Sequence, residues 1–318
     1  MNKKLEIIVP ENVIRTRLEE YLFDTFPSLS RMYLRDVIKS GNCEVNGKIE
    51  NKGKRISSGD FIEIEIDEQR ETAMRPEDLP LDIVFEDDDL ILINKPAGLL
   101  VHPTHRDKSG TLLNALAFYL NKEIFLRGSA EPERDDLSQS KIQNRKSKII
   151  RPGLIHRLDK ETSGLLLVAK NTRSHRILAK QFRLKTVTKK YLALVCGLVE
   201  QNNGVINETI GRFPEEKRWG VKADGKPAET RFKVIERRQN TTLLELIPIT
   251  GRTNQLRIHC AAIGHPILGD VDRGGREHER LCLHAAALSF TDMTGKRRSF
   301  QSDYDFDLMR DTQTAKKD

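Results

Sequence analysis

Residues 156–164, with the sequence HRLDKETSG, hold the densest group of chemically useful side chains in the chain. Asp159 lies there beside Arg157 and Lys160, and the apolar residues 165–169 that follow are suited to a buried strand. A carboxylate beside cations, on a loop anchored by a core strand, is poised to be ionised and nucleophilic. The spacing alone nevertheless favours a plainer alternative, in which Asp159 caps a turn and Lys160 faces solvent.

The elements that must position this loop are mostly strands. After residue 80 the strand-like runs are DIVFEDDDLILINK, GLLLVAK, YLALVCG, RFKVIER, TLLELIPI and LCLHAAALSF. Helical patterns occupy only about 111–120, 172–185 and 252–263. Many strands separated by turns, with few helices, predict an α+β fold with a mostly antiparallel mixed sheet rather than alternating βαβ units.

The first sixty residues have a different pattern. Residues 13–26 predict an amphipathic helix, and Ser30 is placed to cap a second helix that Gly41 ends. The Asn-Gly pair at 46–47 indicates a tight turn between short strands, and FIEIEI at 61–66 alternates as a strand does. The sequence thus predicts a small separate domain with two helices, a hairpin and a strand.

Cations cluster in this small domain. Arg31, Arg35 and Lys39 recur every four residues and so share one row of the second helix. Four more follow on the side of the hairpin, namely Lys48, Lys52, Lys54 and Arg55. We expect these seven side chains to bind phosphates, although a solvated helix face would show the same row.

The order of these elements carries a resemblance. Residues of about 15–66 resemble the alpha-L RNA-binding domain, which is shared with a small-subunit ribosomal protein. The resemblance implies that this domain binds RNA by its shape and backbone rather than by its base sequence.

The later part of the chain resembles the RluA/RluD-type RNA pseudouridine synthases. Residues 156–164 match the family signature His-Arg-Leu-Asp-Lys-x-Thr-Ser-Gly throughout. Three further blocks match in the expected order, at 82–103, 189–197 and 248–270, so that the resemblance spans roughly residues 80–300.

This resemblance implies a role for each matching position. Asp159 stands at the catalytic aspartate, which attacks the target nucleotide either at the anomeric carbon of the sugar or at the uracil ring. Tyr191 matches a tyrosine that stacks on the flipped uracil and whose hydroxyl is a candidate base. Arg157 is expected to displace the base and hold the backbone, Leu256 to pack on the base, and Arg257 to pair with Asp159. The isomerisation is redox-neutral, so the resemblance implies no cofactor and no metal.

Some positions depart from the family pattern. Asn254 stands where histidine is frequent, and Asp272 with Arg273 stands where a tyrosine commonly precedes Gly-Gly. The insert at about 121–151 has no counterpart and predicts a mobile surface loop. These departures affect the expected RNA target rather than the reaction.

Composition sets broader limits. The net charge of +7 and the pI near 9.1 favour polyanionic partners, although many basic enzymes bind none. The four cysteines are far apart and form no Cys-x-x-Cys pair, which argues against a disulfide framework or a zinc site. Without a signal peptide or an apolar run long enough to span a membrane, we expect a cytoplasmic protein, monomeric by default.

The sequence therefore predicts an RNA pseudouridine synthase that acts on large-subunit ribosomal RNA. Transfer RNA is an alternative target, and a non-catalytic RNA-binding assembly protein is an alternative class. A base-excising glycosidase is disfavoured because such enzymes usually need two carboxylates. The predicted division is an RNA-binding domain at 1–66, a linker at 67–80, a catalytic domain at 81–306 and a polar tail at 307–318.

Overall fold

The computed structural model describes five stretches of the chain, residues 3–26, 29–67, 76–104, 107–122 and 152–304. The predicted tail at 307–318, nearly all of the insert at 121–151 and residues 68–75 of the predicted linker lie outside these stretches. The described residues form two compact units, one drawn from Met1–Leu79 and His102–Arg151, the other from Pro80–Val101 and Pro152–Asp318.

The first unit is a small α+β assembly. Its elements are β1 (Lys3–Ile8), β2 (Thr16–Arg17), α1 (Leu18–Thr25), α2 (Arg31–Lys39), β3 (Cys43–Val45), β4 (Lys48–Ile49), β5 (Arg55–Ile56), β6 (Phe61–Ile66) and α3 (Leu112–Tyr119). One sheet has the order β1-β6-β3-β4, and β2 pairs with β5. Its core includes Leu18, Leu22, Leu34, Ile62 and Ile64, all fully or almost fully buried.

Local signals account for several of these elements. The Ser30 side chain accepts a hydrogen bond from the Tyr33 amide and caps α2, as predicted. Asn46 and Gly47 both have positive φ, at 53° and 71°, which gives the tight turn between β3 and β4. The first helix starts later than predicted, at Leu18 rather than residue 13, because Thr16 and Arg17 pair with β5 instead.

The second unit contains the predicted sheet. Its elements are β7 (Ile83–Glu86), β8 (Leu90–Lys95), β9 (Gly153–Leu154), β10 (Ser163–Ala169), α4 (Thr172–Arg183), β11 (Thr188–Cys196), β12 (Asn203–Phe213), β13 (Arg218–Val221), β14 (Lys226–Arg237), β15 (Thr241–Pro248), α5 (Gln255–Ala262), a 3-10 turn (Val271–Arg273), β16 (Leu283–Thr291) and β17 (Arg297–Gln301). Nine strands follow the order β13-β12-β14-β15-β11-β16-β10-β8-β7, while β17 pairs with β16 and β9 with β10.

The α+β prediction is confirmed. Among the strands of the described residues, β10 and β16 form the only parallel pair, and all other pairs are antiparallel. Strands β9, β12, β13 and β17 were not predicted. β12 buries little more than Ile206 and Ile210, four residues apart, so its apolar pattern lacks the alternation by which strands are recognised.

None of the helices in the described part of the chain is long and apolar enough to cross a membrane.

Candidate active site

A buried lysine, Lys95, is hydrogen-bonded to the loop that carries Asp159. Lys95 has no exposed surface, and its Nζ donates to the carbonyl oxygens of Pro96, Leu99 and Lys160 at 2.7, 2.9 and 2.9 Å. The amide of Gly98 also donates to the carbonyl of Lys160, at 3.0 Å. These hydrogen bonds join the turn that follows β8 to Lys160, the residue next to Asp159. They therefore fix the position of the loop relative to β8.

Burial lowers the pKa of Lys95 to about 8, and the charges of Glu161 and Asp159 oppose this fall whereas Arg280 adds to it. Three acceptors match the three N–H groups of an ammonium, so the protonated form is the one that the site satisfies.

The far end of the loop is fixed to β16. Gly164 has a φ of +109°, and a Cβ built on it would lie 2.4 Å from the carbonyl oxygen of Ala285. Only glycine permits this close approach of the two parallel strands. One residue earlier, the Ser163 hydroxyl lies 2.7 Å from His284 Nδ1 and accepts a hydrogen bond of 2.7 Å from Arg280. Both ends of the segment that holds Asp159 are therefore anchored.

A cleft of about 550 Å³ opens above this loop. It is lined by every residue that the sequence predicted for the site, namely Arg157, Asp159, Tyr191, Leu256 and Arg257. Arg157 is exposed, Leu256 is buried at the cleft wall, and the others are half-buried. The elements that supply these side chains are the β10 loop, β11 and α5, which are far apart in the sequence.

Burial and the neighbouring cations have opposite effects on the pKa of Asp159. Burial raises the pKa of the Asp159 carboxyl, and the nearby cations Arg257, Arg157, Arg273 and Lys95 oppose that rise. Within the described residues the carboxylate makes no hydrogen bond and no ion pair. Its oxygens are therefore open to the cleft, as a nucleophile requires.

The prediction that Arg257 pairs with Asp159 needs a correction. The guanidinium of Arg257 instead donates two hydrogen bonds to the buried Asp270, one from Nε to Oδ2 at 2.8 Å and one from Nη2 to Oδ1. This bond is the main reason why the pKa of Arg257 is raised, and the charge of Asp159 contributes further. Asp270 thus takes the hydrogen bonds because it is buried beside the guanidinium, while Arg257 acts on Asp159 through its charge alone.

Tyr191 is set in an apolar surrounding. Burial raises the pKa of its hydroxyl, and the charge of Asp159 raises it further. The phenol therefore remains protonated near neutral pH, which suits a stacking ring and a hydrogen-bond donor better than an ionised base.

Several residues of the site were not predicted. Arg273 and Lys95 both act on Asp159 electrostatically, and Lys189 lines the cleft with a pKa that burial lowers. The one local signal for Lys95 is its place at the end of the strand-like run LILINK, which does not show what its ammonium binds. His156, within the signature, is structural: its Nε2 accepts from the Leu167 amide at 3.0 Å, and burial lowers its pKa to about 3.

The seven predicted RNA-binding cations all lie in the first unit. Arg35 forms an ion pair with Glu19, Lys54 forms one with Glu50, and the guanidinium of Arg31 lies 4.3 Å from the centre of the Phe23 ring. Arg55 donates to the Arg15 carbonyl at 3.5 Å. The remaining three are exposed and form no ion pair, ring contact or side-chain hydrogen bond within the described residues, namely Lys39, Lys48 and Lys52.

Comparison with known proteins gives a consistent result. Residues 89–262 match the family model described as RNA pseudouridylate synthase. An uncharacterized RNA pseudouridine synthase of Aquifex aeolicus is 37% identical over 258 residues, covering 80% of this chain and 75% of that protein. The ribosomal large subunit pseudouridine synthase D of Escherichia coli K12 is 36% identical over 275 residues, covering 86% of this chain and 77% of that protein.

Solved structures agree. The human RNA pseudouridylate synthase domain containing 1 superposes with a TM-score of 0.54 at 26% identity, covering 74% of this chain and 86% of that one. The chain therefore belongs to the RNA pseudouridylate synthase family and is an isomerase that converts uridine to pseudouridine.

Proposed function

We propose that the protein isomerises specific uridines of large-subunit ribosomal RNA, in the cytoplasm, through a covalent adduct on Asp159. The observation that carries the proposal is the setting of this carboxylate. It is partly buried, hydrogen-bonds to none of the described residues, and lies among cations at the wall of a cleft large enough for a nucleotide. Burial raises the pKa of the carboxyl, and the nearby cations oppose that rise and so favour the ionised form that attacks an electrophilic carbon.

The reaction rearranges bonds within one nucleotide. The N1–C1′ glycosidic bond breaks, a C1′–C5 bond forms, the C5 proton leaves, and N1 gains a proton. An Asp159 oxygen attacks either C1′, with uracil as the leaving group, or C6 of the ring, and the resulting ester or adduct breaks again when the base rejoins through C5. No oxidant, reductant or second substrate is consumed.

The neighbours of Asp159 suit the handling of a flipped uridine. Tyr191 and Leu256 offer an aromatic ring and an apolar side chain that can enclose the base. Arg157 is exposed at the cleft and can hold a phosphate of the flipped nucleotide. Because the phenol of Tyr191 stays protonated, it is suited to donating a hydrogen bond to a uracil oxygen while the base turns.

The choice of ribosomal RNA rests on two supports. Several relatives with about 36% identity are named ribosomal large subunit pseudouridine synthase D. The first unit also presents exposed cations on α2 and on the hairpin side, as the resemblance to an alpha-L domain implies. We further propose that residues 1–66 bind RNA and that residues 81–306 carry the reaction, with the chain acting as a monomer.

The test is a map of pseudouridine in ribosomal and transfer RNA from cells with and without this protein. We expect at least one large-subunit uridine to lose its modification and to regain it when the parent chain is restored. Asp159→Asn should not restore it, whereas Glu161→Gln, which alters an exposed carboxylate two residues away, should. A denaturing gel of protein with target RNA should show an adduct that Asp159→Asn lacks.

Other outcomes of the map would replace the proposal. If pseudouridine is lost only from transfer RNA, the target is transfer RNA rather than ribosomal RNA. Release of free uracil would indicate base excision. Full restoration by Asp159→Asn would remove Asp159 from the mechanism.

A further inference from the structure

A second cleft adjoins the one that holds Asp159. It has a volume of about 410 Å³, and residues 251–253 form a wall that the two clefts share. Four cations line it, together with the only tryptophan of the chain: Arg212, Lys222, Lys226, Arg252 and Trp219.

The floor of this cleft is one face of the β13-β12-β14 ribbon. Arg212 lies opposite Trp219 across β12 and β13, and Ile210 lies opposite Lys226 across β12 and β14. Side chains directly opposite one another in an antiparallel pair point to the same face. At its inner end this face packs on α5 through Ile210, Ala228 and Ile258, against which Trp219 is partly buried. The indole is thus fixed along one side and borders the cleft on another.

Most of the charge at the cleft is uncompensated. Asp224 is the single carboxylate of the lining, and it is paired with Lys222 at 3.0 Å. Arg252 donates its Nε to the Pro227 carbonyl, which orients the guanidinium without neutralising it. Arg212 and Lys226 are exposed and have neither an ion pair nor a side-chain hydrogen bond among the described residues. A fixed aromatic face among such cations fits a base and the phosphates beside it.

We propose that this second cleft binds the single-stranded RNA segment next to the target uridine, with a base stacked on Trp219 and phosphates on Arg212, Lys226 and Arg252. The inference rests on the proposed function, because it takes the adjoining cleft as the site of the flipped uridine. Stacking is tolerant of base identity, so the subsite positions the strand rather than reading its sequence.

A chain of contacts joins this subsite to the first cleft. Arg273 donates to the carbonyl oxygen of Trp219 at 3.3 Å, and its Nε lies 3.8 Å from Asp270 Oδ2. Asp270 in turn holds Arg257 through two hydrogen bonds. The strand that carries the stacking ring is therefore linked to the cation pair that acts on Asp159, and a nucleotide on Trp219 lies in a fixed register with the target.

Because Trp219 is the only tryptophan, its fluorescence reports directly on the subsite. The probe is hexauridylate RNA, titrated into the full chain carrying Asp159→Asn so that the RNA stays unmodified, with binding followed in parallel by anisotropy of labelled RNA. We expect saturable quenching of Trp219 emission with the same midpoint as the anisotropy change. Trp219→Ala should weaken binding roughly 5- to 150-fold, and Trp219→Phe should weaken it much less.

A charge-matched pair of variants guards against a folding defect of Trp219→Ala. Arg212→Ala with Lys226→Ala should lower the salt slope of log affinity by about 1.4, at about 0.7 per contact with single-stranded RNA. Arg231→Ala with Lys233→Ala removes the same charge from the opposite face of β14 and should leave the slope unchanged. Unchanged Trp219 emission at saturating RNA, or equal slope changes in the two pairs, would overturn the proposal.

The same measurements separate this inference from the function on which it rests. If the protein modifies ribosomal RNA but its Trp219 emission does not change on binding RNA, it has the proposed activity but not the subsite. A protein that modifies no RNA, yet binds hexauridylate with quenching that the Arg212 and Lys226 variants weaken, has the subsite without the activity.

Discussion

Replacing Lys95 with methionine tests whether the buried ammonium positions the catalytic loop. The change keeps much of the side-chain volume but removes three hydrogen bonds, to Pro96, Leu99 and Lys160. A hydrogen bond from a charged donor contributes about 1.5–3 kcal/mol. Against this, the fall of the Lys95 pKa to about 8 corresponds to about 3 kcal/mol that disfavours the charged form in the fold. We expect a net loss of about 3 kcal/mol, because among the described residues the carbonyls of Pro96 and Leu99 are left without a donor and that of Lys160 keeps only the Gly98 amide.

A loss of this size should lower the Tm of the variant by about 6 to 12 °C, measured by circular dichroism. The effect on catalysis should be separable from stability. Without Lys95, the Lys160 carbonyl keeps only the Gly98 amide as its donor, so the loop that holds Asp159 is less firmly positioned. A displacement of about 1 Å can reduce a rate by about 100-fold. Single-turnover pseudouridine formation at 20 °C, where both proteins are folded, measures this directly.

Lys170→Met is the matched control. Lys170 is also largely buried and also binds a carbonyl, that of Asp87, in addition to the Glu86 carboxylate, but it lies at the other end of β10. The Lys170→Met variant should have a lower Tm than the parent protein but the same single-turnover rate. If Lys95→Met keeps the parent rate, or if Lys170→Met loses as much rate, the positioning role of Lys95 is refuted.

Further predictions follow from the same contacts. Because burial raises the pKa of Asp159, the single-turnover rate should fall on the acid side at a higher pH than the value of about 3.9 for a free aspartate; a midpoint at or below that value contradicts the burial argument. For the same reason the ionised carboxylate destabilises the fold at neutral pH, so Asp159→Asn should raise the Tm at pH 7. This gain in Tm should vanish as the pH falls below about 4, where the carboxyl is protonated in both the folded and the unfolded chain. A lower Tm of the variant at pH 7 would contradict this prediction. Tyr191→Phe should slow the chemical step more than it weakens RNA binding, which a comparison of single-turnover rate with half-saturating RNA concentration measures; an unchanged rate removes the hydroxyl from the mechanism. Replacing Arg31, Arg35 and Lys39 together with alanine should flatten the salt slope of RNA affinity by about 2 to 3 without changing the saturated rate, and an unaltered slope would mark that helix face as solvated surface.

Local patterns in the sequence were sufficient for the reaction class and for most elements. The signature at 156–164 pointed to the family and marked Asp159 as the proposed nucleophile. The Asn46-Gly47 turn and the Ser30 cap set the ends of their elements, because each depends on residues within three positions of one another. The mostly antiparallel sheet was likewise predictable, because the strand-like runs are separated by turns and only a few helical segments lie between them.

The tertiary structure decided what depends on contacts between distant residues. Arg257 hydrogen-bonds to Asp270 rather than to Asp159, and no spacing rule distinguishes two carboxylates that compete for one guanidinium in a folded site. The buried bond from Lys95 to the Lys160 carbonyl joins residues 65 positions apart, so no local pattern shows that this lysine supports the loop. The β12 and β13 strands, with their exposed outer faces, gave no alternation, yet they bring Arg212 and Trp219 to the wall that the second cleft shares with the first. These long-range contacts depend on which apolar surfaces are buried against each other. That is a property of the folded chain as a whole rather than of any single segment.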